Sequence, residues 1–109
     1  MNRKILIAAA AAAILAAVAG VSWAAASAVV DQKGLAFSTA ALTVAKGTIV
    51  EFNNSDSTPH NILITGPGTN IDGGLQQPGV SYKAPFLKAG VFDVVCGIHP
   101  KMHMTVTVQ

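Results

Sequence analysis

One stretch near the C-terminus concentrates the chemistry of this chain: Cys96-Gly97-Ile98-His99-Pro100-Lys101-Met102. It places a thiol, an imidazole and a thioether within seven residues. Two imidazoles and a thiolate close to trigonal, with a weak axial thioether, are the donors of a type 1 copper site. The missing imidazole must come from elsewhere, and Pro59-His60-Asn61 offers it. Taken singly, each residue has a plainer explanation: a surface histidine, a core methionine, a buried apolar cysteine. Taken together, four donors of the right types at this spacing point to one copper ion held by His60, Cys96, His99 and Met102.

Each donor then has a task. Metal coordination strips the proton from Cys96. His60 and His99 complete the equatorial set as neutral imidazoles. Met102 sits axially and tunes the potential. Asn61 is the candidate outer partner: its backbone N–H can reach the Cys96 sulfur, and its side chain can tie the two ligand loops together. Met104 is the rival axial ligand. Strand periodicity puts Met102, Met104, Val106 and Val108 on one face and His103, Thr105 and Thr107 on the other. Met102 is preferred, because a ligand at the end of the loop requires no unwinding of the strand. Met104 then packs behind it. His103 points outward, where it is a surface histidine or a ligand of a second, weaker metal site.

A tight ligand loop needs rigid strands at both ends, and the flanking sequence supplies them. Val91-Phe92-Asp93-Val94-Val95-Cys96 reads as a strand entering the loop, and Met102 to Val108 as one leaving it. Thr48-Ile49-Val50-Glu51-Phe52 alternates as a half-buried strand does, and His60-Asn61-Ile62-Leu63-Ile64 is rich in branched residues. Leu35-Ala36-Phe37 and Ala41-Leu42-Thr43-Val44 read as extended, with a turn at Lys46-Gly47. Val80 to Leu87 reads as a strand in which Pro85 marks an edge or an end. Thr65 to Gly79, with five glycines and two prolines, reads as a long connection. Val29 to Gly34 reads as a polar lead-in. No helical period follows residue 30, so the expectation is an all-β sandwich or barrel.

The first residues belong to something else. A basic head, Met1-Asn2-Arg3-Lys4, precedes an alanine-rich apolar run and two small-x-small triplets, Ala24-Ala25-Ala26 and Ala26-Ser27-Ala28. This is the layout of a secretory signal. It predicts a signal segment over residues 1–28 and one copper-binding domain over 29–109. An uncleaved segment would be a membrane anchor. The formal charge of the whole chain is +2. Beyond residue 28, Lys33, Lys46, Lys83, Lys88 and Lys101 balance Asp31, Glu51, Asp56, Asp72 and Asp93. No basic stripe for nucleic acid is left. A single cysteine in an exported chain can form no internal disulfide, which strengthens its assignment as a ligand.

These residues resemble the cupredoxin family, its amicyanin-like and plastocyanin-like members above all. The resemblance runs from about Phe37 onward. Ala89-Gly90-Val91-Phe92-Asp93-Val94-Val95-Cys96-Gly97-Ile98-His99-Pro100-Lys101-Met102 is similar to the aromatic-Asp run and Cys-x-x-His-Pro-x-Met loop of amicyanins. Pro59-His60-Asn61, with Asn54 ahead of it, matches the first-histidine motif. The resemblance implies an eight-stranded Greek-key sandwich with copper near one end. It implies that His99 is the electron port inside an apolar patch, for which Pro59, Pro67, Ile98 and Pro100 are the candidates. It also implies that His99 can take a proton in the copper(I) state; a reduced-state potential flat from neutral to acid pH would count against that. Gly97-Ile98 departs from the Thr-Pro of many relatives.

The function this predicts is a periplasmic or otherwise extracytoplasmic one-electron carrier, not an enzyme. It would act as a monomer between a donor and an acceptor redox protein. Two alternatives stand beside it. Met102-His103-Met104 suits a copper chaperone or resistance protein, and recruitment of His103 would give a red or green copper centre.

Overall fold

The computed structural model of the chain describes residues 26–109. Its elements are β1 (Ser27–Gln32), β2 (Ala41–Val44), β3 (Thr48–Asn54), β4 (His60–Gly66), β5 (Thr69–Gln76), β6 (Ser81–Phe86), β7 (Gly90–Cys96) and β8 (His103–Val108). They form a three-stranded sheet, β1-β3-β6, and a five-stranded sheet, β2-β8-β7-β4-β5. The all-β sandwich expected from the sequence is the architecture observed. The expected signal or anchor segment lies almost wholly outside the described residues, and among these no helix is long and apolar enough to cross a membrane.

Alternation builds the two layers. Along β3, Thr48, Val50, Phe52 and Asn54 are buried, and Ile49 and Glu51 lie on the other face, as the period of two requires. β4 turns His60, Ile62 and Ile64 inward; β7 does the same with Phe92, Val94 and Cys96. Met104, Val106 and Val108 of β8 complete the inner face of the larger sheet. Val30, Val50, Phe52, Ala84 and Phe86 meet them from the smaller one. Phe86 and Phe92 close the gap between layers edge to face, with centroids 5.6 Å apart. Each large side chain buried this way contributes roughly 1.5–3 kcal/mol, which a small domain needs from most of them.

Three segments differ from the sequence reading. The lead-in is a strand: β1 begins at Ser27, and its Ser27 and Ala28 pair in parallel with Ile49 and Val50. The expected boundary after Ala28 therefore falls inside β1. The glycine-rich connection is also a strand. A hairpin at Pro67-Gly68 leads into β5, which pairs with β4 from Gly66↔Thr69 back to His60↔Gln76. Its register slips once: Asn61 faces Leu75 and Leu63 faces Asp72, so Gly73 and Gly74 together oppose Ile62. This is a β-bulge, with Gly74 at φ 77°. Glycines that read as loop residues are what the bulge and its close packing require; a Cβ on Gly73 would stand 3.0 Å from the Tyr82 ring. Thirdly, Leu35 is not extended. It follows Gly34 (φ 65°) into the left-handed region at φ 56°.

A buried amide cluster ties the sheets together at the end where His60 lies. Gln76, the register partner of His60, donates from Nε2 to the carbonyls of Phe52 and Val80. Its Oε1 accepts from Gln32 Nε2 at 2.8 Å, and its backbone carbonyl from Asn54 Nδ2 at 3.0 Å. Gln76→Leu would orphan several buried groups at once. Each costs about 1–3 kcal/mol when its partner is removed, so the variant is expected to lose about 3 kcal/mol in a urea melt.

Candidate metal centre

β4 and β7 are antiparallel neighbours, with Ile62 opposite Cys96. His60 at the start of β4 and Cys96 at the end of β7 are therefore brought to the same end of the sandwich, though 36 residues apart. Both are fully buried. His60 Nδ1 lies 3.6 Å from Cys96 Sγ. The other ring nitrogen, Nε2, is 2.7 Å from Asp56 Oδ2. Asp56 is held below the usual carboxylate range, first by its hydrogen bond with His60 and also by the amides of Leu35 and Gly34, against the effect of burial. A carboxylate can only accept, so Nε2 carries the proton, and the neutral imidazole a metal takes would present its Nδ1 lone pair on the side of the sulfur.

The loop after Cys96 is closed at its base. Cys96 N donates to Met102 O at 3.2 Å, and Met102 N to His99 O at 2.9 Å. These bonds hold His99 and Met102 on the same side as His60: the two imidazole centroids are 5.3 Å apart at an interplanar angle of 73°. His99 Nε2 is buried with no hydrogen-bond partner. Met102 is buried, at 2 % exposure, beside His99. Met104 is equally buried but belongs to the central hydrophobic cluster, which Met102 does not join. His103 lies exposed on the outer face, its Nε2 2.9 Å from Asp93 Oδ1.

Asn61 does part of what its position suggested. Its backbone N–H donates to Cys96 Sγ at 3.4 Å. Its side chain makes no hydrogen bond to the ligand loop. Nδ2 instead donates across the bulge to Asp72 Oδ1 at 2.9 Å and Gly74 O at 2.8 Å. Asp72 is held below its ordinary range by Asn61 first and the Gly74 amide second. Asn61 Oδ1 is packed so close to Gly97 that a Cβ there would stand 2.6 Å from it and 3.0 Å from Leu63 Cδ1. Gly97→Ala is therefore expected to turn the Asn61 amide away and weaken both of its bonds. The expected loss is about 1–2 kcal/mol in a denaturant melt, with a shifted Asn61 amide resonance.

The cleft beside His99 shares only Ile98 and Pro100 with the expected patch, and Pro59 does not line it. Ile98, Pro100, Lys101 and Met102 line this cleft with His99, and Leu35 joins them from the turn after β1. Pro67 does not: it follows β4 at the opposite end of the sandwich and packs against Gly90. Asp56 and Leu35 are the two residues of this region that the sequence reading left out. For Asp56 the available signal was an acid four positions before a candidate ligand. For Leu35 there was none.

Among the described residues, His, Cys, Asp and Glu side chains alone form no metal-holding group of three. The candidate donor set adds a thioether, that of Met102. Its character fits copper rather than a hard ion: a thiol 3.6 Å from an imidazole nitrogen, a partnerless buried imidazole nitrogen, and a soft thioether sulfur. This is the donor chemistry of a β-sandwich copper protein.

Comparison with known proteins agrees. The family model described as copper binding proteins, plastocyanin/azurin family, matches residues 24–109, and the chain belongs to that family. Copper is the family's cofactor. The chain is similar to amicyanin-alpha of Methylorubrum extorquens, at 29% identity over 76 residues; the match covers 67% of this chain and 64% of that protein. Among solved structures it is similar to a purple cupredoxin from Nitrosopumilus maritimus (26% identity, TM-score 0.66, 75% of this chain and 99% of that one). A variant of amicyanin in its reduced Cu(I) form at pH 4 gives 28% identity and a TM-score of 0.70, over 84% of this chain and 88% of that one. A copper-containing nitrite reductase from Thermus scotoductus also matches, at 25% identity and a TM-score of 0.68, but only 23% of that chain is covered.

Proposed function

We propose that this protein is a one-electron carrier whose single copper is held by His60, Cys96, His99 and Met102. The observation that carries the reading is the approach of His60 Nδ1 to Cys96 Sγ, 3.6 Å apart in a fully buried setting, with the other nitrogen of the ring secured to Asp56. Copper, when bound, supplies the one-electron cycle between its two oxidation states. Everything else is the work of the chain. Asp56 keeps the His60 tautomer. The Asn61 amide donates to the sulfur and tempers its basicity. The two closing bonds of the 96–102 loop keep His99 and Met102 from drifting when the charge of the ion changes. A site that changes shape little loses little to rearrangement on each transfer.

The carrier reading is favoured over its alternatives by where the extra donors lie. Met104 is built into the hydrophobic core and His103 is engaged by Asp93 on the outer face. Met102-His103-Met104 is thus divided between three environments, which suits neither a chaperone's shared site nor a centre that recruits His103. The protein is read as no enzyme. It is read as exported to the periplasm or another extracytoplasmic space. There it exchanges electrons as a monomer with a donor and an acceptor protein through the surface at His99, of which Ile98 and Pro100 are apolar parts. Nucleic acid is not among its partners, and a membrane is one only if the N-terminal segment is retained.

The test is to add copper(II) to the purified protein and record its visible spectrum, then its voltammogram. Intense blue absorption and a reversible one-electron wave are expected. A colourless protein that takes up copper(I) alone would instead mark copper handling, and a strong band displaced to shorter wavelength a centre with altered ligands.

A further inference from the structure

The side chain of Asp56 hydrogen-bonds both to the turn after β1 and to the candidate metal centre. Gly34 N donates to Asp56 Oδ1 at 2.6 Å and Leu35 N to Asp56 Oδ2 at 3.1 Å. Oδ2 is also the atom that faces His60 Nε2. Successive backbone N–H groups in a turn make a concave anion-binding nest, and here the anion is the chain's own carboxylate. A left-handed backbone is natural for Gly34 but unfavourable for Leu35, whose Cβ crowds the neighbouring carbonyl. Such a conformation persists only where the surroundings over-determine it. Backbone hydrogen bonds around the turn supply this constraint. Lys33 N bonds to Ala36 O, Ser38 N to Asp31 O, and Ser55 N to Gln32 O. The result of the strain is that Leu35, half exposed, stands against the ligand loop and forms one wall of a cleft of about 330 Å3 beside His99 and Met102.

We propose that Asp56 is a positioning residue that keys the Gly34–Leu35 strap to the His60 ring, so that the metal ligand and the surface beside His99 are set as one unit. The carboxylate has two oxygens and three donors to serve, two from the strap and one from the ligand. Anything that fixes the imidazole fixes the carboxylate, and through it the strap. The reverse holds by reciprocity: order in the strap restrains His60. Leu35 is then the part of the cleft beside His99 whose placement depends on the state of the metal centre. This link rests on the geometry of Asp56, His60 and the strap and does not require that the carrier reading be correct.

The experiment compares wild type with Asp56→Ala and Asp56→Asn by NMR, first without copper. In wild type the Gly34 and Leu35 amides should be protected from exchange, and the ring-nitrogen shifts should report a His60 proton held on Nε2. Asp56→Ala should speed exchange of both amides by about tenfold or more while leaving β7 and β8 amides protected. It should also let the His60 proton divide between the two nitrogens. Asp56→Asn keeps one acceptor oxygen, so it should restore part of the amide protection; should the alanine variant fail to fold, this variant decides. Copper(I) is then added. It should slow Gly34 and Leu35 exchange further in wild type and lose that effect in the variants. Unchanged Gly34 and Leu35 exchange in the folded variants, or a His60 tautomer indifferent to residue 56, would overturn the link. Failure to take up copper, with the metal-free results as expected, would overturn the carrier reading alone.

Discussion

Cys96→Ser is expected to give a folded domain with no intense visible band when copper(II) is added. The thiolate is the one donor of the set whose bond to copper is strongly covalent. Serine keeps the volume of the site nearly unchanged, and its hydroxyl can accept from the Asn61 amide that now bonds to sulfur. Stability should therefore change by no more than about 1–2 kcal/mol. Copper affinity should fall by more than the roughly 10–100-fold that loss of an outer hydrogen-bond partner costs a metal site. Titration followed by absorption and by a urea melt separates the two effects. A serine variant that keeps the colour would place the ion away from residue 96.

The second large effect is a contrast between two methionines. Met104 is fully buried within the central cluster, among residues of both sheets. Met104→Ala leaves a cavity there and is expected to cost about 2–5 kcal/mol of stability while the copper spectrum stays close to that of wild type. Met102 is buried to a similar degree but sits where the ligand loop ends, beside His99. Met102→Ala should move the reduction potential and the colour, with a smaller stability loss, because its surroundings are the loop rather than the packed centre. Voltammetry and denaturant melts on the pair give opposite rankings if the axial ligand is Met102. The same ranking in both measurements would mean that Met104 serves the ion.

How much of this is legible in the sequence follows the range of the interactions. β3, β4 and β7 were legible because each alternates against a core on one face, so periodicity alone reports burial. The ligand loop was legible because three donors lie within one short segment, and His60 because the fourth donor had few other candidates. β5 was not legible. Its glycines carry no strand preference, and it forms because β4 offers an edge and the bulge at Gly73-Gly74 needs small residues. β1 was hidden for another reason. Its small and polar residues adjoin a segment that reads as a signal, and only its parallel pairing with β3 makes it a strand. Asp56 and Leu35 lie beyond any local pattern. An acid in a polar turn and a leucine after a glycine gain their meaning only once the chain has folded them together.

The Gly97-Ile98 departure also acquires a physical sense. A side chain at position 97 has no room while Asn61 Oδ1 occupies that space, and Asn61 has turned its donors to β5 instead. The bond from the Asn61 amide to Cys96 is thereby steadied from the bulge rather than from the ligand loop. Asn61 and the 72–74 segment are, on this account, the support of the sulfur in this chain.

The most direct measurement is X-ray absorption at the copper edge of the loaded protein, with one equivalent of copper bound. A nearest shell of one sulfur and two imidazole nitrogens, collapsing to light atoms alone in Cys96→Ser, is the result expected from four donors converging at this end of the sandwich. A wild-type shell of nitrogen and oxygen only would contradict it, and would leave His60 and Cys96 as neighbours in a domain whose metal, if any, lies elsewhere.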